Sequence, residues 1–106
     1  MEIDEIVNYA LSLPETEECF PFGENTLVLK TKGKMFLTVD LVSFPTTMNY
    51  QATPDDIIDQ RDQYPDAIFP GFHMNKKHWN TIHLNKIVPS KVIQELVLNS
   101  YTLVKK

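Results

Sequence analysis

A pair of β-rich runs joined by a tight turn constrains the fold of this chain more than any other feature. The runs cover residues 26–31 and 35–41, and the turn between them contains Lys32 and Gly33. Gly33 can adopt the positive φ that a tight hairpin turn requires. Since side chains alternate across a strand, the second run predicts one face with Met35, Leu37, Val39 and Leu41 and an opposite face with Phe36, Thr38 and Asp40. The chain is therefore expected to fold around an antiparallel hairpin.

Three amphipathic segments predict helices, each with an apolar stripe that needs a surface to cover. The first begins near Ile3 and stops before Pro14, the second has Thr53 as its N-cap and Pro54 in its first turn, and the third begins after Pro89. Further strands are expected at 46–50, in the short apolar run 67–71 and at 79–84. The predicted class is α+β with two layers, helices packed on an antiparallel sheet, in the approximate order α-β-β-β-α-β-β-α.

The segment between the first helix and the hairpin is acidic and then aromatic. No histidine or second ligand group lies near Glu15, Glu17 and Glu18 at a useful spacing, so we interpret them as a solvated connector and not as a catalytic or metal site. Phe20 and Phe22 are predicted to face the core from a short strand or extended segment that Pro21 interrupts.

The length of the chain and its single cysteine limit the class of protein. With 106 residues there is room for one core, so residues 1–106 are expected to form a single domain. No apolar run approaches the roughly 20 residues of a membrane span, and the acidic N-terminal residues do not resemble a secretory signal. Cys19 excludes an internal disulfide and fits a reducing compartment. The expected location is the cytoplasm, with no membrane partner, and the sequence leaves the oligomeric state open.

Charge is distributed unevenly along the chain, although the net charge is −4. All but one of the 14 acidic residues precede residue 67, whereas six of the ten lysines and arginines follow it. Such asymmetry can give an acidic protein one basic face. Two basic groups are candidates for that face: the hairpin lysines Lys30, Lys32 and Lys34, and the segment Asn75-Lys76-Lys77-His78-Trp79.

No pattern of residues indicates catalysis, a metal or a cofactor. His73, His78 and His83 are spaced five residues apart, which converges them on neither a strand nor a helix. Cys19 lies in no nucleophile signature, and the three glycines stand alone instead of forming a phosphate-binding loop. The chain is expected to be non-enzymatic.

Four segments together resemble the MmcQ/YjbR family of small bacterial proteins. They are residues 13–23, Lys34-Met35-Phe36, residues 74–79 and residues 100–104. The resemblance implies helices on an antiparallel sheet, similar to secretion chaperones, and a DNA-binding role proposed for a double-wing arrangement of strands. The chain departs from the family pattern after Asn49, where Tyr50-Gln51-Ala52 stands in place of a Leu-Lys-Cys run. One basic side chain is therefore missing near the implied binding surface.

Two functions are open on these grounds. In the first, the chain binds DNA through a basic hairpin and a second segment, with contacts from Lys30, Lys32, Lys34, Asn75, Lys76, Lys77, His78 and Trp79. In that hypothesis Trp79 stacks on a base, although a tryptophan at such a position more often packs to close the sheet edge, and Asn75 often caps a short helix. In the second, a chaperone-like fold binds a protein or small ligand near the aromatic residues Phe44, Phe69, Phe72 and Trp79.

Overall fold

The computed structural model describes all 106 residues, which form three helices and six strands. The elements in chain order are α1 (Ile3–Ser12), β1 (Thr16–Cys19), β2 (Thr26–Thr31), β3 (Lys34–Asp40), β4 (Thr47–Gln51), α2 (Pro54–Gln63), β5 (Ile68–Pro70), β6 (Trp79–His83) and α3 (Ser90–Lys105). The strands make one sheet in the order β1-β2-β3-β4-β6-β5, and every neighbouring pair is antiparallel. The predicted α+β class is confirmed.

The helices begin where local sequence signals place them. Thr53 caps α2, since its Oγ1 accepts from the backbone N of Asp56 at 3.4 Å, and Glu5 Oε1 accepts from the backbone N of Glu2 at 3.0 Å at the start of α1. The C-terminal α3 packs against β2, β3 and β4, and α1 packs against α3. None of the three helices combines the length and the apolar character that crossing a membrane requires.

The two faces of the sheet differ in what covers them. One face is apolar, and it packs against the helices to form the main core. Its rows run across the strands through Leu27, Val39, Met48 and Ile82, with Leu29, Leu37 and Tyr50 alongside. The opposite face has no helix. Its rows contain mostly hydroxyl and amide side chains, and we call it the open face.

The strand β1 corrects two expectations for the segment after the first helix. Residues 16–19 pair with β2 as a fourth strand before α2, so the predicted order lacked one strand. Glu17 and Glu18 fit there because an edge strand leaves its outer side to solvent, and Glu17 lies opposite Lys30. The prediction that Phe20 and Phe22 face the core is wrong, since these side chains are 49% and 64% exposed.

A β-bulge corrects the alternation expected in β3. Leu29 pairs with Leu37 and Lys30 pairs with Met35, so Phe36 is an additional residue with no opposite partner. Phe36 is fully buried with Leu37, and its ring makes an edge-on contact with Tyr101 of α3 at 5.4 Å between centroids. The bulge therefore places two successive side chains in the interior, where strict alternation had put them on opposite faces.

Candidate functional site

A cleft of about 560 Å³ lies on the open face of the sheet. Its floor consists of polar side chains from five strand positions and the end of β6: Thr26, Thr38, Thr47, Asn49, Thr81 and His83. Three loops form its walls, namely residues 20–25, 41–46 and 71–75. We call this site the open-face cleft, and its size is in the range of sites for small molecules.

Hydrogen bonds between the floor and one wall fix the shape of the cleft. Thr81 Oγ1 donates to Asn49 Oδ1 and accepts from the backbone N of Phe72 at 2.8 Å. Asn49 Nδ2 also reaches the backbone O of Phe72 at 3.5 Å. These bonds attach the 71–75 loop to β4 and β6 and hold this wall of the cleft in place.

Asp40 organises the opposite wall. Its Oδ1 accepts from the backbone N atoms of Val42 and Ser43, at 3.0 and 3.2 Å, which closes a turn at the end of β3. Ser43 Oγ and Thr47 Oγ1 lie 3.3 Å apart and attach the loop to β4. Asp40 itself lines the cleft.

Exposed aromatic side chains border the cleft. Phe44, Phe72 and Phe22 are 101%, 68% and 64% exposed, and each belongs to the lining. Six of the ten large exposed hydrophobic residues of the chain lie on the three wall loops: Phe20, Phe22, Leu41, Val42, Phe44 and Phe72. Concentration of apolar side chains at one place on a surface is typical of an interaction site.

Trp79 lies in the interior and not on the surface. Its side chain is only 8% exposed, and its Cβ packs so closely on Gly71 that a methyl group added there would lie 2.7 Å away. The ring therefore has little free face, and the base-stacking role predicted for Trp79 does not fit this burial. The alternative expectation, that the tryptophan packs at the end of the sheet, agrees with its position at the start of β6.

The remainder of the segment 75–79 forms a hydrogen-bonded turn. Asn75 Oδ1 accepts from the backbone N of Lys77 at 2.9 Å, so its side chain caps the turn. Arg61 Nη2 donates to the backbone O of Lys76, and Lys76 Nζ donates to the backbone O of Gly71 at 3.2 Å. All four residues from Asn75 to His78 are exposed. Asn75 and Lys76, predicted to contact DNA, thus make structural contacts with their side chains.

The hairpin lysines have three different environments. Lys30 is half-buried and opposite Glu17, whereas Lys32 occupies the turn with a φ of +52° beside Gly33 at +77°. Lys34 is exposed and lines a shallow depression with Trp79 and Lys106. The structure therefore brings Lys34 of the hairpin close to Trp79 of the 75–79 segment. It also brings Lys106, which follows α3 and was not among the predicted DNA contacts, to the same place.

A buried polar cluster beneath α2 was also not predicted. The fully buried Asn80 donates from Nδ2 to the backbone O of Ile57 at 3.2 Å and accepts at Oδ1 from Arg61 Nε at 2.8 Å. Tyr50 donates its hydroxyl hydrogen to Gln60 Oε1 at 2.7 Å. Burial raises the pKa of Tyr50 above its usual range, and the hydrogen bond with Asn80 opposes this only in part. The sequence signal for this cluster was Asn80, an amide on the same predicted strand face as Ile82 and Leu84.

The histidines do not gather at one place. His73 and His83 line the open-face cleft, whereas His78 lies in the 75–79 turn. The structure contains no group of three or more histidine, cysteine, aspartate or glutamate side chains that could hold a metal ion. The cleft presents hydroxyl, amide, imidazole and carboxylate groups, which suit hydrogen bonding to a ligand.

These features define a class of protein: a small α+β sheet protein with helices on one face and a ligand-sized cleft on the other. The chain belongs to the YjbR family, whose sequence model matches residues 11–103. Among its relatives, the uncharacterized protein YbdF of Escherichia coli O157:H7 is 34% identical over 90% of this chain and 77% of the relative. The uncharacterized protein YjbR of Escherichia coli K12 is 28% identical over 95% of this chain and 85% of the relative.

Solved structures agree with the fold. The crystal structure of Deinococcus radiodurans protein DR2400, described as a DUF419 domain, superposes with a TM-score of 0.94 at 35% identity, covering 98% of this chain and 78% of that one. A crystal structure of a Pseudomonas syringae protein has a TM-score of 0.83 at 22% identity, covering 98% and 99% of the two chains. At that identity the second likeness concerns the fold alone.

Proposed function

We propose that this chain is a non-enzymatic binding module and that its ligand binds in the open-face cleft. The observation that carries the proposal is the combination of a polar floor fixed by hydrogen bonds with a rim of exposed phenylalanines. The polar groups can orient a ligand through hydrogen bonds, and the aromatic side chains gain free energy when the ligand covers them. No arrangement of a nucleophile with an activating base accompanies the cleft, so the proposal concerns binding only.

A screen of fragment-sized compounds by two-dimensional ¹H–¹⁵N NMR tests the proposal. Binding in the cleft should shift the amide signals of Thr38, Asn49 and Thr81 before those of the helices. Phe72→Ala should weaken such binding by about fivefold to tenfold, because it removes most of a ring from the rim. The backbone of Phe72, which holds Thr81 and Asn49, is retained in this variant.

The matched control is Ile58→Ala, which also truncates an exposed apolar side chain, 57% exposed, but on α2. It should leave fragment affinity unchanged. Fragments that shift only amides outside the cleft, or equal weakening by the two variants, would contradict the proposal.

DNA binding is a second candidate, and the depression lined by Lys34, Trp79 and Lys106 favours it. Two lysines there flank the end of the sheet at which the hairpin and the 75–79 turn meet, and lysines bind phosphate as point charges. The family resemblance points to the same activity. Since Trp79 is buried and the side chains of Asn75 and Lys76 already make hydrogen bonds within the protein, such an interface would rely mainly on contacts between lysines and phosphates and would carry little sequence preference.

A further inference from the structure

The open-face cleft is lined by one carboxylate and by no lysine or arginine. Asp40 is the only acidic residue among its lining side chains, and the remaining polar groups are hydroxyls, an amide and two imidazoles. The hairpin lysines lie toward the other end of the β2–β3 hairpin, where Lys34 begins β3. Lys30, the hairpin lysine nearest to Asp40 in the register, lies four positions along β2 from Thr26, the partner of Asp40, or about 13 Å, so the hairpin lysines make no ion pair with Asp40.

The carboxylate of Asp40 is held in place with one oxygen free of protein donors. Oδ1 accepts both backbone hydrogen bonds of its turn, from Val42 and Ser43, whereas Oδ2 receives none from the protein. Asp40 is half-buried between Thr26 and Thr47 on the neighbouring strands. A ligand donor that reaches Oδ2 therefore meets a fixed, partly desolvated charge.

The other groups of the cleft also favour a positive ligand. Threonine and serine hydroxyls can all accept hydrogen bonds, and a neutral imidazole offers one acceptor nitrogen. The faces of the rim phenylalanines carry negative partial charge and attract cations within about 6 Å. An anionic ligand would face Asp40 with no basic side chain in the lining to balance it.

We propose that the open-face cleft selects an organic cation, an ammonium or guanidinium group carried on an apolar or aromatic body. Asp40 binds the charged group through Oδ2, the threonine hydroxyls complete its hydrogen bonds, and Phe22, Phe44 and Phe72 cover the body. This inference rests on the proposed binding function and adds to it the charge of the ligand.

A set of three probes with the same aromatic body tests the charge preference: 2-phenylethylammonium, 2-phenylethanol and 3-phenylpropionate. Affinities come from the shifts of the cleft amides at pH 8, where histidine is ordinarily neutral. The ammonium should bind about fivefold to tenfold more tightly than the alcohol, and the carboxylate more weakly than both. In Asp40→Asn the ammonium should lose this advantage, since the asparagine oxygen still closes the turn but carries no charge.

The control is Asp59→Asn, which makes the same change of net charge on the exposed surface of α2 and should leave all three affinities unchanged. If the alcohol or the carboxylate binds in the cleft as tightly as the ammonium, the cation preference is wrong while the binding function stands. If neither these probes nor any fragment of the screen shifts the cleft amides, both are overturned. Equal effects of the two aspartate variants would reduce the preference to a general charge effect and reject the role of Asp40.

Discussion

At the scale of single residues, Gly71 shows how a position without a side chain holds the candidate region together. Its backbone N donates to Trp79 O at 3.0 Å, and a Cβ built on it would meet Trp79 Cβ at 2.7 Å and Trp79 O at 2.8 Å. No flexible side chain can yield there, because two of the nearest atoms belong to backbone. The contact sets the path of the chain into the 71–75 wall of the cleft.

Gly71→Ala should therefore lower the free energy of unfolding by about 1–3 kcal/mol, the usual cost of overpacking. Urea unfolding followed by the fluorescence of Trp79, the one tryptophan, measures the change. The control is Gly33→Asn, where an added Cβ has nothing within 4 Å; it should cost less than Gly71→Ala, since only the positive φ opposes it and asparagine adopts that conformation more readily than most residues. Equal stability of Gly71→Ala and the unmodified protein would show that the close approach to Trp79 can relax freely.

At the scale of elements, α2 is attached to the sheet by polar contacts more than by apolar ones. Ile57 is its only buried residue, and its Gln60 and Arg61 form one hydrogen-bonded group with Tyr50 of β4 and Asn80 of β6. Arg61 also holds the backbone of Lys76, so the same helix positions the turn before β6.

The titration of Tyr50 gives a pH dependence to this attachment. In the unfolded chain the phenol loses its proton near its ordinary pKa of about 10, whereas burial keeps it protonated in the folded protein. Above about pH 10 the unfolded state therefore binds fewer protons than the folded state. The contribution of Tyr50 to the free energy of unfolding is fully present below about pH 10, and above it this free energy falls by at most about 1.4 kcal/mol per pH unit.

Tyr50→Phe should remove that contribution and unfold with a shallower decline between pH 10 and 11. At pH 7 the variant should be about 1 kcal/mol less stable, because Gln60 Oε1 loses the Tyr50 hydroxyl at 2.7 Å and keeps only the longer bond from Asn80 Nδ2 at 3.3 Å. Urea unfolding of both proteins at several pH values measures the difference. Two pH curves with the same slope above pH 10 would contradict a raised pKa in the folded state.

Helices and strands were predictable from the sequence where their signals lie within the segment itself. The three helices and the 26–41 hairpin followed from periodicity, capping residues and turn chemistry. The strand β1 and the orientation of Phe36 did not, since both depend on pairing with β2: Glu17 gains its place from a neighbouring strand, and the bulge exists only relative to Leu29 and Lys30. Nothing within residues 13–23 or 34–40 taken alone encodes these pairings.

At the scale of the whole molecule, the cleft is a second feature that local sequence patterns did not predict. Thr26, Thr38, Asn49 and Thr81 come from four strands and become neighbours only when the sheet order is known. The sequence pattern placed Thr38 on the same strand face as Asp40, and Phe44 and Phe72 were recognised as aromatic residues near loops. Their convergence on one site required the tertiary structure, as did the burial of Trp79.

The proposal that the protein binds DNA can be tested through the salt dependence that lysine–phosphate contacts produce. Fluorescence anisotropy with a labelled 20-base-pair duplex should detect binding at low ionic strength that weakens steeply as salt rises. Replacing Lys34 and Lys106 together by glutamine should reduce the salt slope by about 2, whereas Lys86 and Lys91 replaced together, both exposed elsewhere, should not. No anisotropy change with protein well above micromolar at low salt would reject DNA binding.

The division of the sheet into a helix-covered face and a loop-covered face has an evolutionary consequence. Residues that stabilise the protein lie almost entirely on one side, and residues of the three wall loops contribute little to that interior. Under the proposed binding function, substitutions of the exposed side chains in those loops, Gly71 excepted, can therefore alter ligand preference at little cost to folding. A lineage built on this plan can diverge in specificity while its scaffold persists, and the same fold at 22% identity in the Pseudomonas syringae protein shows how far the sequence can change around a constant sheet.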